Sequence, residues 1–197
     1  MVANFDRPAD FDTVCNDEEF GAGLVVEHLA GLGHERIAHI SAGQATGGPE
    51  RCTGFITAMT RYHLSPIVVD GDFNEQAGLT AAAQLMALRE PPTAIFASND
   101  LAAVGVLSYL RNQNIRVPED VSVVGYDDTV LARIGPVSLT TVHQPRQQFG
   151  RRSLQLVTER IAGRTEARHE LIQPRLVARA TTGRVTPSAR PGRTSHT

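Results

Sequence analysis

The chain has 197 residues, 41% of them hydrophobic, with 19 basic and 21 acidic side chains and a formal net charge of −2. That is enough apolar chain for one good core or two small lobes, and the near-neutral balance offers no overall attraction to nucleic acid or anionic lipid. No run of about 18 apolar residues is present to cross a bilayer, and the first residues lack a basic-then-apolar leader, so the expected location is the cytoplasm.

In chain order, short Val/Ile-rich runs alternate with longer stretches of helical apolar spacing, the pattern of βα units feeding a parallel sheet. The spacing predicts a helix over 22–33 ending at Gly33, then a strand over 36–41. Beyond a Gly-rich loop, Pro49 opens a helix reaching about His63, followed by a strand over 66–71. A helix over 74–90, a strand over 92–98, a helix over 99–113 capped by Asn99 or Asp100, and a strand over 121–126 complete the regular part. Residues 131–145 read as a connection with one short strand, before a helix near 146–162 and a last strand near 170–178. The tail from 184 to 197 is rich in Pro, Ser and Arg without an apolar face, which predicts disorder.

In an open parallel sheet, ligands bind beyond the carboxyl ends of the strands. Arg51, Phe73, Asn99 and the acids Asp127 and Asp128 each follow a predicted strand. Together they offer a donor fork, an apolar ring face, a mixed donor and acceptor, and pure acceptors, a combination suited to a hydroxyl-rich ligand. Each also has a plainer reading: Asn99 as a helix cap, Arg51 as an ion pair with Glu50, Phe73 as core, and the two acids as a solvated turn. Catalysis and metal binding find little support. All nineteen basic residues are arginine, which removes Walker-type phosphate binding and Schiff-base chemistry. No Gly-x-Ser-x-Gly elbow or spaced His/Cys set occurs, and the two cysteines make no disulfide framework. No enzyme activity and no cofactor are therefore expected.

The segments "PTAIFASNDLAAVGVLSYLRNQNIRVPEDVSVVGYDDT", "LTTVHQP", "RLVARATTG", "EHLAGLGHERIAHISAG" and "ERCTGFITAM" resemble the effector-binding core of the lactose-repressor/galactose-repressor (LacI/GalR) family of bacterial transcription regulators, over about residues 14–183. The resemblance implies an α/β fold of two periplasmic-binding-protein-like lobes with an effector in the cleft. Residues 43–138 would form a complete carboxyl-terminal lobe, with 1–42 and 139–183 a partial amino-terminal one. Matching motif by motif, it carries ligand contacts onto Arg51, Phe73, Asn99, Asp127 and, more weakly, Gln144, with Asn4 or Asp6 as a further contact. It also implies a sugar or nucleoside-like effector, a homodimer using Val104 and 131–135, and operator DNA bound only through an amino-terminal domain absent from this chain, which would make the chain truncated and marginally stable. A solute-binding protein of a sugar transporter shares the fold and is the alternative.

Overall fold

The computed structural model describes residues 11–185. Its main body is a six-stranded sheet in the order β3-β2-β4-β5-β6-β8, and a two-stranded parallel ribbon pairs β1 with β7. The strands are β1 (Thr13–Asn16), β2 (Ile37–Ile40), β3 (Ile67–Val69), β4 (Ala94–Ala97), β5 (Ser122–Asp127), β6 (Thr140–His143), β7 (His169–Ile172) and β8 (Arg175–Val177). All neighbours in the main sheet run parallel except β8, which closes the edge antiparallel to β6.

Four helices cover the sheet. β2 and β4 are buried along their whole length, so both of their faces need apolar cover. One face packs against α1 (Glu18–Gly31) and α2 (Gly48–Arg61), with Val26, Leu29, Phe55 and Met59 meeting Ile37, Phe96 and Tyr126. The other packs against α3 (Glu75–Met86) and α4 (Asp100–Asn112), with Leu85, Val106 and Leu110 meeting Ile40, Ile95 and Val123. A short helix α5 (Val130–Arg133) and a long α6 (Arg146–Ile161) follow.

The elements lie close to their predicted spans, with two informative differences. The single strand expected near 170–178 is two strands in two different sheets, because Gln173 and Pro174 interrupt it and the proline has no N–H for a ladder. The strand at 37–40, grouped from sequence with the partial lobe, is the second strand of the main sheet between β3 and β4. Its residues are apolar or stacked on both sides, Ala38 and Ile40 on one and Ile37 and His39 on the other, which only an inner position satisfies. β6 likewise belongs to the main sheet, so the chain passes between the two sheets near residues 17, 144 and 173.

Candidate functional site

The strand order reverses between β2 and β4: the chain leaves β2 toward β3 on one side, and leaves β4 toward β5 on the other. At such a switch point the loops diverge and open a crevice at the carboxyl ends of the strands. Arg51, one turn into α2, lies at this crevice and is almost fully buried. Its Nη1 donates to the Ser98 carbonyl at the end of β4 (2.6 Å). Its Nε donates to Glu18 Oε2 (2.9 Å), and Nη2 donates to Glu18 Oε1 (3.4 Å). The guanidinium carbon stands 3.9 Å from the Tyr126 ring centroid and 5.3 Å from that of Phe73. Burial opposes the charge, but Glu18, with Tyr126 and Asp127, together outweigh it and raise the arginine's pKa.

The other predicted residues join the same network. Asp127 Oδ1 lies 3.8 Å from Arg51 Nη2 and accepts a hydrogen bond from Gln144 Nε2 at 2.6 Å. Asn99 Nδ2 donates to the Phe73 carbonyl (3.2 Å), while its Oδ1 caps α4 by accepting from the Ala102 N–H (2.8 Å). The cap reading of Asn99 is therefore correct and compatible with its position in the network. Arg51, by contrast, pairs with Glu18, not Glu50. All five predicted residues thus form one linked set, Phe73, Asn99, Asp127 and Gln144 at the ends of β3, β4, β5 and β6 and Arg51 in α2, the helix that follows β2. Asn4 and Asp6 lie outside the described residues.

The two acids after β5 separate. Both have left-handed backbone (φ 109° at Asp127, 51° at Asp128), a conformation costing non-glycine residues on the order of 1–3 kcal/mol each unless the surroundings fix it. Here they are fixed by their bonds. Asp128 is buried, accepting from Arg179 (2.6 Å), Arg133 (2.9 Å) and His143 (2.8 Å). Although burial alone would raise it, these donors hold its carboxyl well below the ordinary carboxylate range. Asp127 faces the crevice with fewer donors, and burial raises it to about 6, aided by Asp100 and Glu18 and opposed by Arg51 and Arg146.

Three participants are not apparent from sequence. Glu18 sits at the first turn of α1, where an acid is sufficiently explained by the helix dipole. Its carboxylate occupies space left by Gly47, where a Cβ would come within 3.2 Å of Oε1. Tyr126 is fully buried and reads as core, yet its hydroxyl accepts from Asn16 Nδ2 (2.8 Å) while its ring supports Arg51. Asn16, at the end of β1, brings the second sheet to the crevice, and its Oδ1 is buried with no partner among the described residues. Those described residues hold no group of three or more His, Cys, Asp or Glu side chains arranged for a metal ion, and no helix among them is long and apolar enough to cross a membrane.

A mostly parallel sheet with polar and aromatic side chains meeting beyond its strand ends at the switch point is the layout of an α/β ligand-binding domain. Residues 26–182 match the family model described as "Periplasmic binding protein-like domain". Among curated proteins, the chain is 34% identical to the HTH-type transcriptional repressor PurR of Vibrio atlanticus, over 86% of this chain and 52% of the relative. Among solved structures, a LacI transcriptional regulator from a Rhodococcus species is 41% identical with a TM-score of 0.83, covering 86% of this chain and 64% of that one. The regulator CelR in complex with cellobiose is 32% identical with a TM-score of 0.82, covering 88% of this chain and 54% of that one. The chain belongs to the LacI/GalR family and corresponds to its periplasmic-binding-protein-like core. It spans about half the length of the curated relatives it matches.

Proposed function

We propose that the chain is the effector-sensing core of a LacI/GalR-type transcriptional regulator, with Arg51, Phe73, Asn99, Asp127 and Gln144 holding a small hydroxyl-bearing effector. The observation that carries this is the unbroken network from Gln144 through Asp127 and Arg51 to Phe73 and Asn99 at the mouth of the sheet. Asp127 accepts from ligand hydroxyls, Gln144 and Arg51 donate to ligand oxygens, and the Phe73 ring packs on an apolar sugar face. A sugar is the favoured class, supported by this donor and acceptor set and by the cellobiose named with the similar CelR. The role is binding without catalysis or cofactor. In the longer regulator the core forms a homodimer and shifts affinity for operator DNA, bound through a separate domain, as the effector closes the cleft.

A thermal-shift screen of the chain against pentoses, hexoses, disaccharides, nucleosides and purine bases tests this, because ligand that binds only the folded state raises the midpoint. One class is expected to shift the wild-type chain and to lose its effect in Asp127→Ala and Gln144→Ala. A shift surviving in both variants, or no shift by any compound, sinks the assignment.

A further inference from the structure

The buried arginine of this site is already engaged by a carboxylate, and that engagement restricts what the site accepts. A guanidinium can hold phosphate or carboxylate by two parallel N–H bonds along either of two edges, Nε/Nη2 or Nη1/Nη2. In Arg51 the Nε/Nη2 edge is taken by the two oxygens of Glu18, at 2.9 and 3.4 Å, and one Nη1 proton goes to the Ser98 carbonyl at 2.6 Å. Of its five N–H groups, two remain for a ligand, one on each terminal nitrogen. Asp127 adds a second negative charge 3.8 Å from Nη2. Glu18 and Asp127 together set two carboxylates against Arg51, and Arg146, whose Nη2 donates to the Asp127 carbonyl at 3.4 Å, stands beside Asp127 on its other side. Both partners of the ion pair are shielded, the side chains of Arg51 and Glu18 being 5% and 15% exposed, so salt screens it weakly.

We infer that Glu18 is the charge-selecting residue of this site: by occupying the Nε/Nη2 edge of Arg51 and supplying its counter-charge, it admits neutral effectors and disfavours phosphorylated or carboxylated ones. It acts through Arg51, as a positioning residue. The inference rests on the effector-binding reading above, and it narrows that reading to uncharged ligands. Removing the negative charge while keeping the shape, as in Glu18→Gln, frees a buried guanidinium that lacks a full counterion.

The test uses inorganic phosphate as the anionic probe, with sodium chloride at matched ionic strength as the control, and follows thermal midpoint and calorimetric binding. Wild-type chain is expected to bind phosphate weakly, Glu18→Gln at least about tenfold more tightly, and Glu18→Asp, which keeps the charge, to stay close to wild type. In parallel, each neutral sugar that binds is compared with its own phosphate ester on the wild-type chain, a comparison needing no substitution. The neutral form is expected to bind at least about tenfold more tightly. Phosphate binding to wild type as strong as to Glu18→Gln, no gain in a folded Glu18→Gln, or an ester that binds as well as its parent sugar would each overturn the inference. If no neutral compound binds at all, the effector-binding reading fails, and the gain or lack of phosphate binding in Glu18→Gln then decides by itself whether Glu18 selects charge.

Discussion

Asp127 and Asp128 are neighbours in the chain and opposites in chemistry. Asp127, raised to about 6 chiefly by burial, is the acceptor facing the crevice. Its folded pKa lies above the unfolded value, so it favours the folded state at low pH and loses that contribution as pH rises from about 4 through 6. Under the proposed function, the ionised form is the stronger acceptor for ligand hydroxyls. Effector affinity is therefore expected to fall as pH drops through about 6, measured as Kd across a pH series spanning that value, and to become flat in Asp127→Asn. Asp128 has the reverse sign. Its depressed pKa supplies stability at neutral pH that fades as pH falls below the usual carboxylate range. It joins α5, β6 and the segment after β8 through Arg133, His143 and Arg179. Asp128→Asn is expected to cost about 3 kcal/mol in urea unfolding at neutral pH, because a buried charge network loses the anion at its centre. Unfolding Asn99→Ala the same way should show about 1 kcal/mol, the ordinary value of an N-cap.

At the scale of elements, the helices on one face of the sheet approach so closely that glycine is required. A Cβ on Gly78 of α3 would lie 2.0 Å from the Ala102 carbonyl oxygen of α4, and one on Gly105 of α4 would lie 1.9 Å from the Glu75 carbonyl oxygen of α3. These obstacles are backbone and cannot rotate aside. Gly78→Ala and Gly105→Ala should each destabilise by about 3 kcal/mol through forced separation of the helices. Gly23 in α1 is the contrast, with nothing within 4 Å of an added Cβ. Gly23→Ala should stabilise by about 0.5–1 kcal/mol, since alanine restricts the unfolded chain at no steric cost. Thermal or denaturant unfolding of the three variants side by side checks both signs at once. The α3–α4 pair also sets the height of Asn99 and Phe73, so separating these helices reaches the site without touching its polar groups.

The whole molecule is unevenly covered. The six-stranded sheet has helices on both faces, whereas β1, β7 and α6 leave apolar side chains in solvent: Leu154 is 68% exposed, Ile161 82%, Val157 55% and Leu171 55%. On α6 these fall at positions 154, 157 and 161, one stripe of the helix. A contiguous exposed stripe beside a ribbon that has two strands among the described residues favours association. Sedimentation velocity is expected to show concentration-dependent self-association of the chain, reduced by Leu154→Glu combined with Ile161→Glu. A monomer unchanged across concentration would contradict this.

Much of this protein is legible in its sequence. The βα alternation follows from local periodicity, which burial of each strand between helices imposes directly on the apolar pattern. The candidate residues Arg51, Phe73, Asn99 and Asp127 stand out there because polar or aromatic residues in the segments beyond apolar strands fall toward the sheet's mouth, while Gln144 is reached only through the family resemblance. Sequence by itself does not decide which residues oppose one another across the crevice. Glu18 meets Arg51 across 33 positions and Asn16 meets Tyr126 across 110, pairings that exist only once β1 and α1 are set against the main sheet. Residue chemistry alone does not separate Asp127 from Asp128, although the family resemblance points to Asp127: adjacent carboxylates look alike until the left-handed backbone at each sends one toward Arg51 and Gln144 and the other into an arginine cluster. Local pattern determined the elements and their polar ends; long-range packing alone fixed the charges that face each other, because electrostatic pairing depends on distance in space and not along the chain.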